Sequence, residues 1–174
     1  MSTAETMDQQ AMMEKWAKFA TPGPAHERFK KLVGKWNANV KFWFTPDAPP
    51  SESQGVSTFK LIFGGRYMVQ EFEGTAMGQP FTGMGISGFD NFRREYFDTW
   101  LDSMGTSIMV SWGTETNGTV EFKGTVDDFM TDRRDVPARS VASWIDDNTH
   151  KVEMFCVAPN GQEFQNMEII FTRA

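Results

Sequence analysis

The sequence is poor in the residues that build disulfides and metal sites. Its 174 residues include one cysteine, Cys156, and two histidines, His26 and His150. A single cysteine excludes an intramolecular disulfide, and a cysteine inside an apolar strand pattern is more often a small buried hydrophobe than a nucleophile. Because no His-x-His or Cys-x-x-Cys spacing is present, we expect neither a bound metal nor a cofactor. A reduced, cytoplasmic protein fits this composition best.

An excess of positive charge and long apolar runs are also missing. The formal net charge is -6 at pH 7, whereas nucleic-acid binding needs a basic face. No run approaches the roughly 18 apolar residues of a membrane helix. Residues 1–10 are polar and lack the apolar region of a signal peptide. We therefore expect neither a nucleic-acid partner nor a membrane partner.

Motifs for nucleotide binding and nucleophilic catalysis are weak. Gly83, Gly85 and Gly88 lie inside a strand pattern instead of joining a strand to a helix, so they favour bending of the strand over phosphate binding. Ser87 and Ser111 have no neighbouring histidine that could activate them. A barrel can hold haem through one inward histidine, as nitrobindin-like proteins do. His150, however, follows a turn, and we expect it to be solvent-exposed.

The sequence does have a regular series of turns. Pairs rich in Gly, Asn and Asp recur at intervals of roughly 13 residues, which leaves about ten residues for each strand. A meander this long avoids exposed edges by closing on itself. The sequence thus predicts an all-β fold, a ten-stranded up-and-down antiparallel calycin-like barrel. The clearest turn pairs are Gly64-Gly65, Met77-Gly78, Asp90-Asn91, Met104-Gly105, Asn117-Gly118, Asp147-Asn148 and Asn160-Gly161.

Three segments are expected along the chain. Residues 1–7 form a disordered tail, residues 8–34 form a helical segment, and residues 35–174 form one barrel domain. Apolar residues within 8–19 recur at helical spacing, and Pro24 begins a second short helix. These helices are expected to close one mouth of the barrel or to pack on its wall.

Alternation of apolar and polar residues assigns an inward face to most strands. The first strand, at 35–45, has its even positions inward. The other strands are predicted at 55–63, 66–76, 79–89, 93–103, 106–116, 119–129, 133–146, 149–158 and 162–172. The expected inward residues are Phe59, Leu61 and Phe63; Met68, Gln70 and Phe72; Ile108, Val110 and Trp112; Val120, Phe122 and Val126; Val152, Met154 and Cys156; and Met167, Ile169 and Phe171.

The strand at 93–103 has two plausible registers. In one, Trp100 faces inward together with Asp98 and Asp102; in the other, Phe97 and Leu101 face inward. The rings of Tyr96 and Trp100 share the first face and carry more apolar area than Phe97 and Leu101, which favours the register with Trp100 inside. Carboxylates on this face would then have to be paired, hydrated or protonated.

The first and last predicted strands carry two residues that are expected to form a structural clasp. Trp36 opens the first strand after Gly34, and Arg173 ends the last strand. Because the first and last strands of a closed barrel are neighbours, the guanidinium group can lie on the indole. The pattern resembles the Gly-x-Trp and C-terminal Arg signature of the calycin barrels, the lipocalins and fatty-acid-binding proteins, where it implies closure of the barrel base.

A wider resemblance covers roughly residues 29–173. The chain resembles the bacterial family known as domain of unknown function 1579, and this resemblance implies a barrel but no particular activity. The runs that carry it are Gly64-Gly65-Arg66, Gln70-Glu71-Phe72-Glu73-Gly74, Met77-Gly78-Gln79-Pro80-Phe81, Gly88-Phe89-Asp90-Asn91, the segment 99–106 and the segment 167–173.

The leading functional hypothesis is non-catalytic binding of a small hydrophobic or amphipathic molecule inside the barrel. The sequence supplies 16 Phe, 6 Trp and 12 Met, which give large and adaptable apolar surfaces. The predicted ligand-binding residues are Gln70, Phe72, Trp100, Asp102, Trp112, Met154 and Met167.

Two alternatives stay open. The first is an enzyme, an isomerase or hydrolase acting on a hydrophobic substrate with Asp102 as a buried acid or base; the lack of a catalytic motif leans against it. The second is an interaction module whose barrel is packed solid. A homodimer is also expected, because Trp43, Val69 and Ile62 fall on the outward register and exposed apolar groups tend to be covered.

Overall fold

The computed structural model describes residues 8–174, and the predicted tail at residues 1–7 lies outside the described residues. Two helices precede ten strands, with a short 3-10 turn, Phe63–Gly65, after the second strand. The elements are α1 (Gln9–Ala20), α2 (Pro24–Lys30), β1 (Gly34–Phe42), β2 (Ser51–Ile62), β3 (Tyr67–Ala76), β4 (Gln79–Asp90), β5 (Glu95–Asp102), β6 (Met109–Thr116), β7 (Thr119–Asp128), β8 (Arg133–Asp146), β9 (Thr149–Val157) and β10 (Glu163–Arg173).

The strands form one closed antiparallel barrel. Each strand pairs with its neighbours in the chain, and β1 closes the barrel by pairing with β10. In that seam Trp36 is the register partner of Arg173, and Phe42 is the partner of Met167. The predicted ten-stranded up-and-down barrel is confirmed.

The tight turns have the backbone geometry that their sequence demands. Met77 and Gly78 have φ values of 50° and 73°, and Asn117 and Gly118 have values of 52° and 80°. Two successive positive φ angles define the type I′ turn, whose twist matches that of paired strands. Local turn chemistry therefore explains why the spacing of these pairs predicted the strands.

The core lies at one end of the barrel, which we call the base: the end where β1 begins and β10 ends. Helix α2 covers the base, and its Phe29 joins the buried cluster there. Arg28 on α2 donates a hydrogen bond of 3.0 Å to the Gly118 carbonyl and lies 3.3 Å from the Glu115 carboxylate. The other buried apolar residues of the cluster are Trp36, Ala38, Phe59, Met68, Phe72, Tyr96, Val120 and Phe171.

Helix α1 stands away from this core, since none of its residues is buried. One side chain ties its C-terminal end to the barrel. The Asn91 amide nitrogen, in the β4–β5 turn, lies 2.9 Å from the Phe19 carbonyl and 2.8 Å from the Thr21 carbonyl. Neither α1 nor α2 has the length and apolar character needed to cross a membrane.

The predicted register of one strand is wrong. Ile108 and Val110 are exposed, and the Trp112 ring packs against Phe97 with the Arg93 guanidinium 4.3 Å from its centroid. This contact lies on the outer wall, so the inward residues of β6 are Met109, Ser111 and Gly113. Two end residues were also misplaced, since Phe63 and Phe44 are exposed beyond the ends of their strands.

Candidate ligand-binding interior

The base is closed by contacts between the two ends of the barrel sheet. The Arg173 guanidinium lies 4.2 Å from the Trp36 ring centroid and donates hydrogen bonds to the carbonyls of Lys31 and Val33 at 2.8 and 3.2 Å. The indole N–H of Trp36 donates to the Leu32 carbonyl at 2.7 Å. With Trp36 0% exposed, these contacts join β10 to the segment before β1 and seal the base.

His150 belongs to this sealed base, so the expectation of a solvent-exposed histidine is wrong. It is 7% exposed, stacks on Phe171 at 4.4 Å and meets the Trp36 ring edge-on at 4.7 Å. Burial, with smaller contributions from Arg173 and Arg28, lowers the pKa of the imidazole to about 4. His150 is therefore neutral near pH 7, and its buried Nε2 atom has no hydrogen-bond partner among residues 8–174.

The inner wall above the base carries a group of polar side chains that we call the polar belt: Ser57, Gln70, Ser87, Asp98 and Ser111. The Gln70 amide donates to the fully buried Ser57 hydroxyl at 2.9 Å, and the Ser87 hydroxyl donates to Asp98 Oδ1 at 2.5 Å. Ser87 and Ser111 are the register partners of Asp98 on either side. The polar belt therefore places hydrogen-bonding side chains on an otherwise apolar inner wall.

Asp98 is the most unusual member of the belt. It points inward from β5, on the same face of the sheet as its register partner Ser87. Burial raises the pKa of this carboxyl to about 6, while the hydrogen bond from Ser87 opposes the shift. At neutral pH the group is a carboxylate in a poorly solvated position.

Trp100 takes the inward register that the sequence favoured, beside Asp98. Its indole lies across Gly83 and Gly85, where a Cβ atom added at Gly83 would come within 2.2 Å of the ring. The indole N–H donates to Asp102 Oδ2 at 3.0 Å, and Asp102 Oδ1 accepts the Met104 amide at 2.9 Å. Asp102 thus holds Trp100 and the turn after β5.

Two methionines line the end opposite the base, which we call the mouth. Met154 and Met167 are register partners across β9 and β10. Both are half-buried although they face inward, as is Val40 on β1. Partial exposure of these inward side chains means that solvent reaches the inner wall on this side. Phe72 also faces inward; it belongs to the buried cluster, and its ring lies 5.6 Å from that of Phe81.

The structure brings most of the predicted ligand-binding residues to the inner wall. Trp112 is the exception, because its ring packs on the outside. Asp98 was missing from the predicted set, and its shared parity with Trp100 was the signal that could have found it. Asp102 was the catalytic candidate, yet both of its oxygens are engaged in hydrogen bonds.

Comparison with known proteins identifies the family. A model described as "Protein of unknown function (DUF1579)" matches residues 21–173. The chain belongs to this family. The predicted resemblance is thereby confirmed for this DUF1579 protein, and the family description names no activity. A search of curated proteins gives no match.

A solved structure shows the same fold at low sequence identity. The DUF1579 barrel is similar to the crystal structure of Rv2717c from M. tuberculosis, with a TM-score of 0.61, 16% identity, and coverage of 88% of this chain and 99% of that chain. A redesigned β-barrel also matches, with a TM-score of 0.44, 13% identity, and coverage of 84% and 94%. Identities this low show the fold alone.

A concave region of the DUF1579 protein lies on the outer wall. This groove of about 450 Å³ runs beside β6 and is lined by Trp112 and by polar residues that include Thr114, Thr119, Glu121 and Lys123. It is open to solvent and its lining is mainly polar, whereas a small-molecule site usually combines an apolar wall with few polar groups. Among the described residues, no group of three or more His, Cys, Asp or Glu side chains could hold a metal ion.

Proposed function

We propose that this DUF1579 protein binds a small hydrophobic or amphipathic molecule inside its barrel and that the ligand enters through the mouth. The observation that carries the proposal is a polar belt placed between a sealed aromatic base and a partly exposed apolar wall. An apolar pocket with a few convergent polar groups is the usual form of a small-molecule site. The resemblance to calycin barrels supports it, and the single reduced Cys156 suits the bacterial cytoplasm.

The alternatives have less support. A solid interaction module would bury the inward side chains at both ends, but Val40, Met154 and Met167 remain partly exposed. An enzyme built on Asp102 has less support because that carboxylate already holds Trp100 and the turn after β5: its two oxygens accept hydrogen bonds from the Trp100 indole and the Met104 amide.

Filling the interior tests the proposal. Ser140 faces inward, because its register partners are Phe122 and Met154. Ser143 lies on the same strand but faces outward beside Lys151. We would titrate the uncharged dye Nile red into the wild type, Ser140→Phe and Ser143→Phe, and follow its fluorescence.

The wild type and Ser143→Phe should bind the dye with equal affinity, and Ser140→Phe should bind it at least tenfold more weakly. Circular dichroism would establish that both variants are folded. Equal dye binding by the two variants, or no binding by the folded wild type, would remove the proposal.

A further inference from the structure

The interior of the barrel has charges of one sign. Within residues 34–173, the inward positions between base and mouth hold carboxylates but no Lys or Arg. The cations that approach the interior lie at its ends. Arg28 and Arg173 are at the base, and Arg133 is at the mouth, where it pairs with Asp128 at 2.8 Å.

Asp98 therefore has no cationic partner on the inner wall. It accepts a hydrogen bond from a neutral group, the Ser87 hydroxyl, at 2.5 Å. A buried carboxylate without a cation is costly, and the raised pKa of Asp98 reflects that cost. A ligand that brings a positive charge to this position would relieve it.

Resting on the proposed function, we infer that the barrel selects an amphipathic amine, whose ammonium group binds Asp98 and whose hydrocarbon part extends toward the mouth. An ammonium group has three N–H donors. The acceptors that surround the position are the Asp98 carboxylate and the hydroxyl oxygens of Ser87 and Ser111, which adjoin it in register.

The wall between Asp98 and the mouth suits the rest of such a ligand. The Trp100 indole lies flat on two glycines beside Asp98, so its other face is directed toward the interior, where a cation or a methylene chain can contact it. Met154 and Met167 continue the apolar lining toward the mouth. Methionine adapts to ligands of different shape.

The same charges disfavour the carboxylate ligands of a fatty-acid carrier. A carboxylate head group beside Asp98 would place two anions together in a poorly solvated site. No Lys or Arg on the described inner wall would neutralise them. A neutral alcohol of equal length should bind with intermediate strength, because it lacks both the attraction and the repulsion.

Three ligands of equal chain length test the inference. Octylamine, octanol and octanoate would each be titrated at pH 7.5 into the wild type, Asp98→Asn and Glu95→Gln. Glu95 is the matched control, since it lies on the same strand but lines the outer groove. Binding would be measured by calorimetry and by displacement of Nile red.

In the wild type and in Glu95→Gln, octylamine should bind about tenfold more tightly than octanol, as expected for a hydrogen bond to a charged group. Octanoate should bind most weakly. In Asp98→Asn the preference for the amine should disappear, while octanol affinity stays unchanged.

The outcomes separate this inference from the proposed function. If the three ligands bind equally, or Asp98→Asn keeps the amine preference, the barrel is a binder without amine selectivity and the inference fails. If neither the ligands nor Nile red bind the folded wild type, the proposed function fails as well.

The pH dependence of the wild type gives a second test that needs no variant. Octylamine affinity should fall as the pH drops below about 6, where Asp98 becomes protonated, and octanol affinity should not.

The other ionisable groups of the interior should not produce this pH dependence. Burial holds the pKa of His150 at about 4 and raises those of Tyr96 and Cys156, so none of these three changes charge between pH 5 and 7. The remaining inward carboxylates are hydrogen-bonded: Asp102 to Trp100, and Glu115 to Tyr96. A pH-independent amine affinity would overturn the inference.

Discussion

At the scale of single residues, the barrel holds two ionisable side chains whose pKa values are displaced in opposite directions. Burial lowers the pKa of His150 from 6.5 to about 4, so between these values the unfolded chain binds more protons. Burial raises the pKa of Asp98 from 3.8 to about 6, so between these values the folded chain binds more protons. By linkage, acid destabilises the fold through His150 and stabilises it through Asp98.

Removing each group should expose the effect of the other. As the pH falls from 6.5 to 4, the wild type should lose stability, because His150 is protonated in the unfolded chain but stays neutral in the fold. His150→Phe lacks this proton binding, so it should gain stability relative to the wild type. As the pH rises from 4 to 6, Asp98→Asn should gain stability relative to the wild type, because no buried charge forms. Urea unfolding over this pH range measures both. Curves that run parallel for all three proteins would contradict the assignment.

Two tryptophans of this chain differ widely in their exposure to solvent. Trp36 is fully enclosed at the base, whereas Trp16 on α1 is 69% exposed. Trp36→Ala should lower the free energy of unfolding by about 3 to 5 kcal/mol, since it leaves a large cavity and removes the ring on which the Arg173 guanidinium group lies. Trp16→Ala, measured at a concentration where the protein is monomeric, is the matched control and should change it by less than about 0.5 kcal/mol. Equal losses in urea unfolding would show that the clasp does not stabilise the barrel.

At the scale of elements, the turns could be predicted from the sequence because Gly and Asn mark positive φ locally. The strand predicted at 133–146 coincides with β8. The inward face of β6 could not be predicted in the same way. Its outward side carries Trp112, which is covered by Phe97 and Arg93 from the neighbouring strand and turn. Alternation shows only which side of a strand is apolar. On β6 the outer side is apolar because it packs against residues of the neighbouring strand and turn.

The candidate site was only partly predictable for a related reason. Trp100 was identified by its ring area, but Asp98 gains its importance from burial and from the lack of a cation on other strands. These properties belong to the closed sheet and not to the strand's own sequence. The hydrogen bonds that occupy Asp102 likewise arise from the conformation of the turn after β5.

The packing of β4 against β5 gives a prediction at this scale. A methyl group at Gly83 would overlap the Trp100 ring, whereas one at Gly105 meets no heavy atom closer than 3.8 Å. Gly83→Ala should displace the indole and lower the stability by about 1 to 3 kcal/mol, as overpacking does. Gly105→Ala should have little effect.

Urea unfolding and near-ultraviolet circular dichroism would compare the two glycine variants. A changed tryptophan signal in Gly83→Ala alone is expected. An unchanged signal there would mean that Trp100 is free to move away from Gly83.

At the scale of the whole molecule, α1 presents apolar side chains that nothing in the described chain covers. Met12, Met13, Trp16 and Phe19 are all exposed, and they fall on one side of the helix. Exposed apolar patches tend to be covered by association. We therefore still propose self-association, with α1 replacing the outward strand residues as its main contact.

Light scattering at increasing concentration tests this proposal. Trp16→Glu should shift the protein toward the monomer, while Ala11→Glu, which adds the same charge on the side of α1 that faces away from Trp16, should not. A wild type that stays monomeric at high concentration, or equal effects of both substitutions, would reject it.

The β1–β10 seam has a consequence for the order of events in folding. Every other pair among the described strands joins neighbours in the chain and can form as a local hairpin. The seam must instead bring together residues from opposite ends of the domain, and such non-local pairing is slow. We expect closure to be the last step, reached only after the other nine pairings have formed. Until then the growing sheet has two unpaired edges open to other chains, so the lifetime of that open sheet, more than the stability of the finished barrel, should set how readily the protein aggregates during synthesis.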